Sequence, residues 1–315
     1  MPKNPVICLA GPTASGKTDF AIQLREKFPL EIISVDSALV YRGMDIGTAK
    51  PDAETLKRAP HRLINIRDPE DNYSAGDFVR DAATEMDDIH GSGRIPFLVG
   101  GTMMYFRSLT EGIAKLPEAD PEIRANLDTE AAAIGWPAMH RKLAEIDPVT
   151  AARVNPNDSQ RIQRALEVFQ ISGRAMSDWQ TAGKAQQPDH SYLKIALIPG
   201  SRAMLHERIG ARLKMMFELG FVEEVEALRQ RPGLDSRSSS MRAVGYRQIW
   251  SHLDGEYDLP AAQDKALATT RQLAKRQLTW LRSDRQLNCF DPLEGQAIDA
   301  ILAFLDKHLD RESLA

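Results

Sequence analysis

Apolar and polar residues follow a pattern in the first hundred positions that predicts strands and helices in alternation. Largely apolar runs over residues 6–10, 31–35 and 95–99 predict strands, and those over 6–10 and 95–99 are typical of buried strands. Apolar residues at four-residue spacing predict helices over 19–28 and 74–91, and a capping-box sequence opens the second helix. Because alternating strands and helices build parallel βαβ units, we expect an α/β core whose ligands bind beyond the carboxyl ends of the strands.

The pattern changes in the middle of the chain, where residues 114–190 are helical in character. The best-defined helix of this stretch begins near Ser159, after an Asn-Asp pair. Residues 192–198 then resume the strand pattern of the core. The sequence therefore predicts an α/β core in two parts, 1–113 and 191–315, with an all-helical insertion domain at 114–190 between them.

Composition is that of an ordinary globular protein. Of 315 residues, 43% are hydrophobic, 27% are charged and 6% are aromatic, as in soluble domains that bury a large core. Cys8 and Cys289 are too few for a disulfide framework and belong to no zinc-binding pattern. Because the sequence also contains no apolar run of about 18 residues, we expect a soluble cytoplasmic protein with no membrane segment.

The charge distribution is more informative than the net charge of -4, which taken alone argues against a nucleic-acid partner. Residues 191–290 carry 16 Lys and Arg against 11 Asp and Glu, so the rest of the chain is strongly acidic. A locally positive surface on an acidic protein suits the docking of a polyanion on one side. The solvated surface of a few helices would give the same excess, and charge alone leaves both interpretations open.

A glycine-rich loop between the first predicted strand and helix has the sequence G-x-x-x-x-G-K-[ST]. In such a loop the backbone N–H groups and the helix N-terminus surround a phosphate, Lys17 neutralises its charge and Thr18 can reach a Mg²⁺ ion. The predicted phosphate-binding residues are Gly11, Pro12, Thr13, Ala14, Ser15, Gly16, Lys17 and Thr18. This motif in this context predicts a P-loop NTPase-like parallel sheet flanked by helices.

The residues that follow the other strands bear on which phosphate the loop holds. A nucleotide hydrolase normally has a metal-holding Asp after a neighbouring strand, but the run at 95–99 is followed by Gly100, Gly101 and Thr102. Asp36 directly follows the run at 31–35 and should face the phosphate, which makes it the best catalytic candidate. An Asp that caps a loop, or one that holds magnesium in a small-molecule kinase, is the alternative.

Two stretches near the end of the chain are rich in positive charge. Residues 271–282 predict a helix with four Lys and Arg and no acid, and residues 242–247 contain two Arg, a Gly turn and Tyr246. Basic side chains interleaved with an aromatic ring suit phosphate contacts and stacking on an unpaired base of RNA. An exposed helix presents similar residues, so each stretch taken singly leaves an RNA site and a solvated surface open.

Six blocks of sequence, in this order, resemble the tRNA dimethylallyltransferase family. They are GPTASGKT, DSALVYRGMDIGTAKP, GGTMMYFRSL, NDSQRIQRALEVF, RAVGYRQ and TRQLAKRQLTWLR, spread from Gly11 to Arg282. The second block is specific to the family, whereas a P-loop occurs in many unrelated enzymes. The resemblance implies that the loop binds dimethylallyl diphosphate rather than a nucleotide, with Mg²⁺. It also implies that the acceptor is the exocyclic amine of the adenosine 3′ of the tRNA anticodon.

The resemblance also implies catalytic roles for individual residues. Asp36 looks like the base that removes a proton from the amine, and Thr102 matches a threonine near the reacting groups. Lys17 and an arginine stabilise the departing diphosphate together with Mg²⁺. That arginine is expected to be Arg212, with Arg208 as the alternative, on a helix predicted from an apolar stripe over 205–217.

A wider set of residues is implied to contact tRNA. They are Asp36, Ser37, Ala38, Leu39, Thr102, Arg124, Gln160, Arg161, Ile162, Gln163, Arg164, Arg242, Gly245, Tyr246, Arg247, Lys275, Arg276, Gln277 and Arg282. Some family members have Gln in place of Leu39, so base recognition at this position would rest on backbone groups. We expect the protein to act as a monomer. Two other functions stay open on spacing alone: a small-molecule kinase, and a non-catalytic RNA-binding protein in which Asp36 is dispensable.

Overall fold

The computed structural model of the protein describes residues 4–114, 116–183 and 190–309. The chain divides into two compact units, Met1–Arg107 with Asp189–Ala315 and Ser108–Pro188. The predicted boundaries at 114 and 190 adjoin residues 115 and 184–189, which lie outside the described ranges. The first unit is called the α/β unit below and the second the helical unit.

Strands and helices alternate in the first part of the chain. In chain order they are β1 (Pro5–Ala10), α1 (Lys17–Arg25), β2 (Leu30–Val35), α2 (Ala53–Arg58), β3 (His61–Arg62), α3 (Ala75–Gly91), β4 (Ile95–Gly100) and α4 (Met103–Glu111). The three predicted strands are confirmed, and Ser74 and Asp77 form the expected capping box at the start of α3. The helix predicted over 19–28 starts earlier, because α1 begins at Lys17 directly on the phosphate loop.

The remaining elements are mostly helical. In the helical unit they are α5 (Pro121–Ile134), α6 (Trp136–Ile146), α7 (Pro148–Ala151), α8 (Ser159–Ser172) and α9 (Met176–Gly183). The α/β unit continues with β5 (Ser191–Leu197), α10 (Arg202–Glu218), α11 (Phe221–Arg229), a 3-10 turn (Ser240–Arg242), α12 (Tyr246–Leu253), α13 (Leu259–Ser283), β6 (Asn288–Phe290) and α14 (Ala297–His308). The helices predicted near Ser159, over 205–217 and over 271–282 are confirmed as α8, α10 and α13. Within the described ranges, no helix combines the length and apolarity that a membrane span needs.

The strands form a six-stranded sheet in the order β3-β2-β4-β1-β5-β6, and all neighbouring pairs are parallel. This confirms the predicted α/β fold with a parallel sheet flanked by helices. Ala10 on β1 and Val35 on β2 both pair in register with Gly100 on β4. The three strands therefore end at the same level, and the residues that follow them meet at one edge of the sheet.

The helical unit has its own hydrophobic core, built from side chains of α5, α6 and α8. Its fully buried members include Met139, Leu143 and Ile162. Glu167 of α8 is also completely buried and accepts hydrogen bonds from Arg124 and Arg164 at 2.6 to 3.1 Å. Burial alone would raise the pKa of Glu167, but these hydrogen bonds outweigh it and hold the pKa below the usual value.

Candidate active site

The phosphate loop connects the buried end of β1 to the first turn of α1. Gly16, at the N-cap of α1, has φ 87, a left-handed conformation that glycine adopts without strain. The Ser15 N–H donates to the Pro12 carbonyl at 3.3 Å, and the Lys17 ammonium donates to the same carbonyl at 2.7 Å. The lysine therefore lies folded over the loop, next to the N–H groups that open the helix.

Charges around the loop are strongly coupled. Burial, and to a lesser degree the Arg212 charge, lower the pKa of Lys17 to about 7, although the Asp36 charge acts in the opposite direction. Burial also lowers the pKa of Arg212, which Asp36 raises and Arg208 lowers. Asp19 also raises the pKa of Arg212, so three cations meet two carboxylates at the loop, and the remaining positive charge would be neutralised by a bound anion.

Both arginines of α10 that the sequence singled out lie at this loop. The Arg208 guanidinium stands 3.3 Å from the position that a Cβ on Gly16 would occupy. Arg212, one turn later, is more buried than Arg208 and interacts with Lys17 and Asp36. The sequence offered Arg208 only as an alternative to Arg212, whereas the structure places both side by side on one face of α10.

Asp36 begins the loop that follows β2, and its conformation is fixed locally. Its Oδ1 accepts the N–H groups of Ala38 at 2.8 Å and Leu39 at 3.3 Å. The Ser37 N–H donates to the Thr102 hydroxyl at 3.1 Å, and the Thr102 N–H donates to the Val35 carbonyl. The turns after β2 and β4 are thereby joined, and Asp36 and Thr102 lie at the same corner of the site.

A carboxylate from α11 anchors the rest of the loop after β2. Glu224 accepts the backbone N–H groups of Asp45, Ile46 and Gly47 at 2.7 to 3.1 Å. It also accepts the Tyr246 hydroxyl at 2.6 Å. The sequence did not identify Glu224, because the backbone N–H groups that it accepts lie more than 170 residues away and no local pattern links them to it.

The predicted stacking of Tyr246 on an RNA base is wrong. Its ring is completely buried and packs edge-on against Phe221 at a centroid distance of 4.9 Å. The ring faces inward because Glu224 takes its hydroxyl group there. Arg242 and Arg247 on either side are exposed, so this segment still presents two cations to solvent.

The exposed aromatic residue of the basic region is Trp280 on α13. Its side chain is 41% exposed, and the Arg107 guanidinium lies 5.5 Å from its ring centroid. Lys275, Arg276 and Arg282 of the same helix are exposed, as predicted. Trp280 belongs to the block TRQLAKRQLTWLR. Its position among four basic residues of a predicted helix was the signal that could have identified it as a candidate for stacking on a base.

Gln277 is the exception on α13, because it faces inward. It is 8% exposed, its Oε1 accepts the Thr13 N–H at 2.9 Å and its Nε2 donates to the Gly101 carbonyl at 2.8 Å. A side chain in this position cannot reach a tRNA bound on the exposed face of the helix. The tRNA contact implied for Gln277 stays a prediction, and in this conformation both ends of its amide are bonded inside the protein.

The candidate tRNA residues of the helical unit differ in accessibility. Gln160 and Arg161 are exposed at the start of α8, whereas Ile162 is completely buried in the helical core and its side chain is closed to a ligand. Gln163 bonds to Asp128 at 2.6 Å. Arg124 and Arg164 remain partly exposed while they pair with Glu167.

A magnesium site would have few protein ligands. The described residues contain no group of three or more His, Cys, Asp or Glu that could hold a metal ion. Thr18 offers a hydroxyl in the first turn of α1, next to Lys17, and Asp36 is the carboxylate that interacts with Lys17. This sparse set fits Mg²⁺, which often keeps its waters and is held through substrate phosphates with one or two protein oxygens.

Comparison with known proteins gives a consistent result. Residues 39–284 match the family model described as IPP transferase. The chain is 56% identical to the tRNA dimethylallyltransferase of Thiobacillus denitrificans over 96% of this chain and 97% of that protein. It is 53% identical to the tRNA dimethylallyltransferase of Thioalkalivibrio sulfidiphilus, covering 97% and 95% of the two chains.

Comparison with solved structures gives the same result as comparison of sequences. The full-length tRNA isopentenylpyrophosphate transferase from Bacillus halodurans is similar, with a TM-score of 0.71 and 35% identity over 99% of this chain and 97% of that one. A eukaryotic dimethylallyltransferase described as acting on tRNA has a TM-score of 0.79 and 25% identity over 96% of this chain and 78% of that one. Sequence and structure together show that this chain belongs to the tRNA dimethylallyltransferase family.

Proposed function

We propose that the protein transfers a dimethylallyl group from dimethylallyl diphosphate to the exocyclic amine of the adenosine 3′ of the anticodon in tRNA, and releases diphosphate. The observation that carries this proposal is the phosphate loop, where three cations lie near the Asp36 carboxylate at the end of β2. The small-molecule kinase alternative lacks support, because β4 is followed by Gly101 and Thr102 where a metal-holding acid would be needed.

The loop and its cations bind the leaving group. The loop supplies backbone N–H groups at the start of α1, from Gly16 to Thr18. Lys17, Arg208 and Arg212 surround the diphosphate with positive charge. Negative charge grows on the diphosphate as its bond to the dimethylallyl carbon breaks, so these groups bind the transition state more strongly than the donor. Thr18 would help to hold Mg²⁺, which when bound neutralises part of the same charge.

Asp36 acts as the general base. As the amine nitrogen forms its bond to the dimethylallyl carbon, it becomes positively charged and loses a proton to the carboxylate. The two backbone N–H groups on Oδ1 fix the orientation of the Asp36 carboxylate. Thr102 holds the Ser37 backbone and so supports the same corner of the site. The adenine must leave its stack to reach this corner.

The exposed cations position tRNA. Two groups of exposed cations are suited to phosphate contacts. The first lies on α13 and contains Lys275, Arg276 and Arg282. The second contains Arg242, which precedes α12, and Arg247, which lies on it. Further contacts are proposed from the loop after Asp36 and, in the helical unit, from Gln160, Arg161, Gln163, Arg124 and Arg164. We further propose that the enzyme acts as a monomer in the cytoplasm, in agreement with its two free cysteines.

The test is the variant Asp36→Asn, which keeps the shape of the side chain and removes the base. Purified protein is incubated with magnesium, dimethylallyl diphosphate and bulk tRNA, and modified nucleosides are quantified by mass spectrometry. We expect transfer to be lost while tRNA binding is retained, and Asp87→Asn, on the exposed face of α3, to behave as the wild type. Transfer at the wild-type rate by Asp36→Asn would refute the role of Asp36. Productive ATP hydrolysis at the loop would refute the assignment of the donor.

A further inference from the structure

Gln277 connects three parts of the molecule that catalysis needs to hold together. Its Oε1 accepts the Thr13 N–H of the phosphate loop, and its Nε2 donates to the Gly101 carbonyl at the end of β4. The residue itself belongs to α13, whose outer face carries Lys275 and Arg276. The basic helix is therefore hydrogen-bonded to the donor site through a buried side chain.

A carboxamide is suited to this position. One bond requires an acceptor and the other a donor, and the amide of Gln offers both on one planar group without a charge. The two partners also fix the orientation of the amide, because an N–H must face the oxygen and a carbonyl must face the NH₂ group. A carboxylate here would lose the bond to Gly101 and bring negative charge next to a loop that holds an anion.

The packing around Gln277 reinforces the link. A Cβ on Gly101 would stand 2.6 Å from the Gln277 Nε2, so the turn after β4 approaches the side chain closely, and a larger residue there would displace the amide. On the other side, Ala14 of the phosphate loop packs with Ala274 and Leu278 of α13. The loop is thus held on the helix by apolar contact and by the bond from Thr13.

The same turn leads to the catalytic corner. Gly101 precedes Thr102, whose hydroxyl accepts the Ser37 N–H beside Asp36. A shift of Gln277 would therefore change the distance between the diphosphate cradle and the residues around Asp36. Errors of about 1 Å in such distances are enough to slow an enzyme a hundredfold.

We propose that Gln277 is a positioning residue of the donor site, which fixes the phosphate loop against the Gly101–Thr102 turn and makes no contact with tRNA. The inference rests on the proposed function for the identity of the donor. It goes beyond that function because it assigns Gln277 to the donor site, although the exposed residues of α13 around it are proposed to bind tRNA.

The experiment compares Gln277→Met, which keeps the volume and removes both hydrogen bonds, with Gln277→Glu, which keeps the shape and adds a charge. Gln272→Glu is the matched control, because Gln272 is exposed on the same helix. Binding of dimethylallyl diphosphate is measured by calorimetry without tRNA. Binding of tRNA is measured at several salt concentrations without donor, and kcat and KM for each substrate are measured in the transfer assay.

For both Gln277 variants we expect donor affinity to fall about tenfold, as for the loss of a buried hydrogen bond. The fall should be larger for Gln277→Glu, and the tRNA affinity and its salt dependence should not change. Weaker tRNA binding with unchanged donor binding would overturn the proposal, and so would an equal loss of both. If the wild type binds the donor but transfers nothing to tRNA, the proposed function fails while the calorimetric result still decides the role of Gln277.

Discussion

Raising the pH from 7 to 9 should weaken the binding of dimethylallyl diphosphate to the free enzyme about fiftyfold. The cause is Lys17, whose pKa is lowered to about 7 by burial and then by the Arg212 charge. Near pH 7 the side chain is therefore about half protonated in the free enzyme. A diphosphate in the loop adds negative charge beside the ammonium group, so the pKa of Lys17 rises when the donor binds.

The direction and the size of this pH dependence follow from the change in the pKa of Lys17 when the donor binds. Because the pKa of the bound state lies above that of the free state, binding is strongest below pH 7 and weakens as the pH rises. Affinity should fall about fivefold from pH 7 to 8 and then about tenfold, or about 1.4 kcal/mol, for each further pH unit until the pKa of the bound state is reached. At pH 8 each donor molecule should take up about 0.9 proton on binding.

The assay is isothermal titration of dimethylallyl diphosphate in the absence of tRNA, from pH 7 to 9, in two buffers with different enthalpies of ionisation. A terminal phosphate loses its second proton near pH 6, so the donor itself contributes little to the dependence in this range. Lys17→Met should bind weakly and without the pH dependence, and Lys214→Met, a change at an exposed position of α10, should keep it. An affinity that is constant from pH 7 to 9, with no proton uptake in either buffer, would refute the reasoning.

Three further predictions concern binding and stability. Arg276→Ala should weaken tRNA binding and reduce the slope of log affinity against log salt by about 1, as measured by filter binding; an unchanged affinity at every salt concentration would remove α13 from the interface. Glu224→Ala should lower the free energy of unfolding in urea by about 2–3 kcal/mol, since three backbone N–H groups lose their acceptor, and Glu224→Gln should recover part of it. Glu167→Gln should destabilise the helical unit by about 3 kcal/mol because two guanidiniums lose their counter-charge, seen as faster hydrogen exchange in α5 and α8. Because the pKa of Glu167 is lowered, its contribution should be present above the usual value and decline as the pH falls below it.

The sequence predicted the elements that are long and strongly patterned. β1, β2, β4 and β5 are largely apolar over six or seven residues, and most residues of β1, β2 and β4 are buried, which is typical of strands inside a parallel sheet. β3 and β6 contain two and three residues, too few for any period to be visible. The phosphate loop was predicted because its chemistry depends on residues adjacent in the chain.

Side-chain direction was harder to predict, because it depends on partners from distant parts of the sequence. Tyr246 reads as an aromatic between arginines, yet Glu224 and Phe221 hold its ring inside. Gln277 did carry a signal. Together with Ala274, Leu278 and Leu281 it forms the buried stripe of α13 at helical spacing, and a polar residue at such a position indicates a specific hydrogen-bond partner.

The order of the strands also governs how the protein emerges from the ribosome. β1 lies between β4 and β5, and the helical unit is encoded between these two strands. A nascent chain that ends after α4 can pair β1 with β4 but leaves the other edge of β1 open until Ser191 and the residues after it are made. Open strand edges recruit other chains, so a stalled or truncated product of this length should aggregate. The helical unit, which has a core of its own, can fold during that delay.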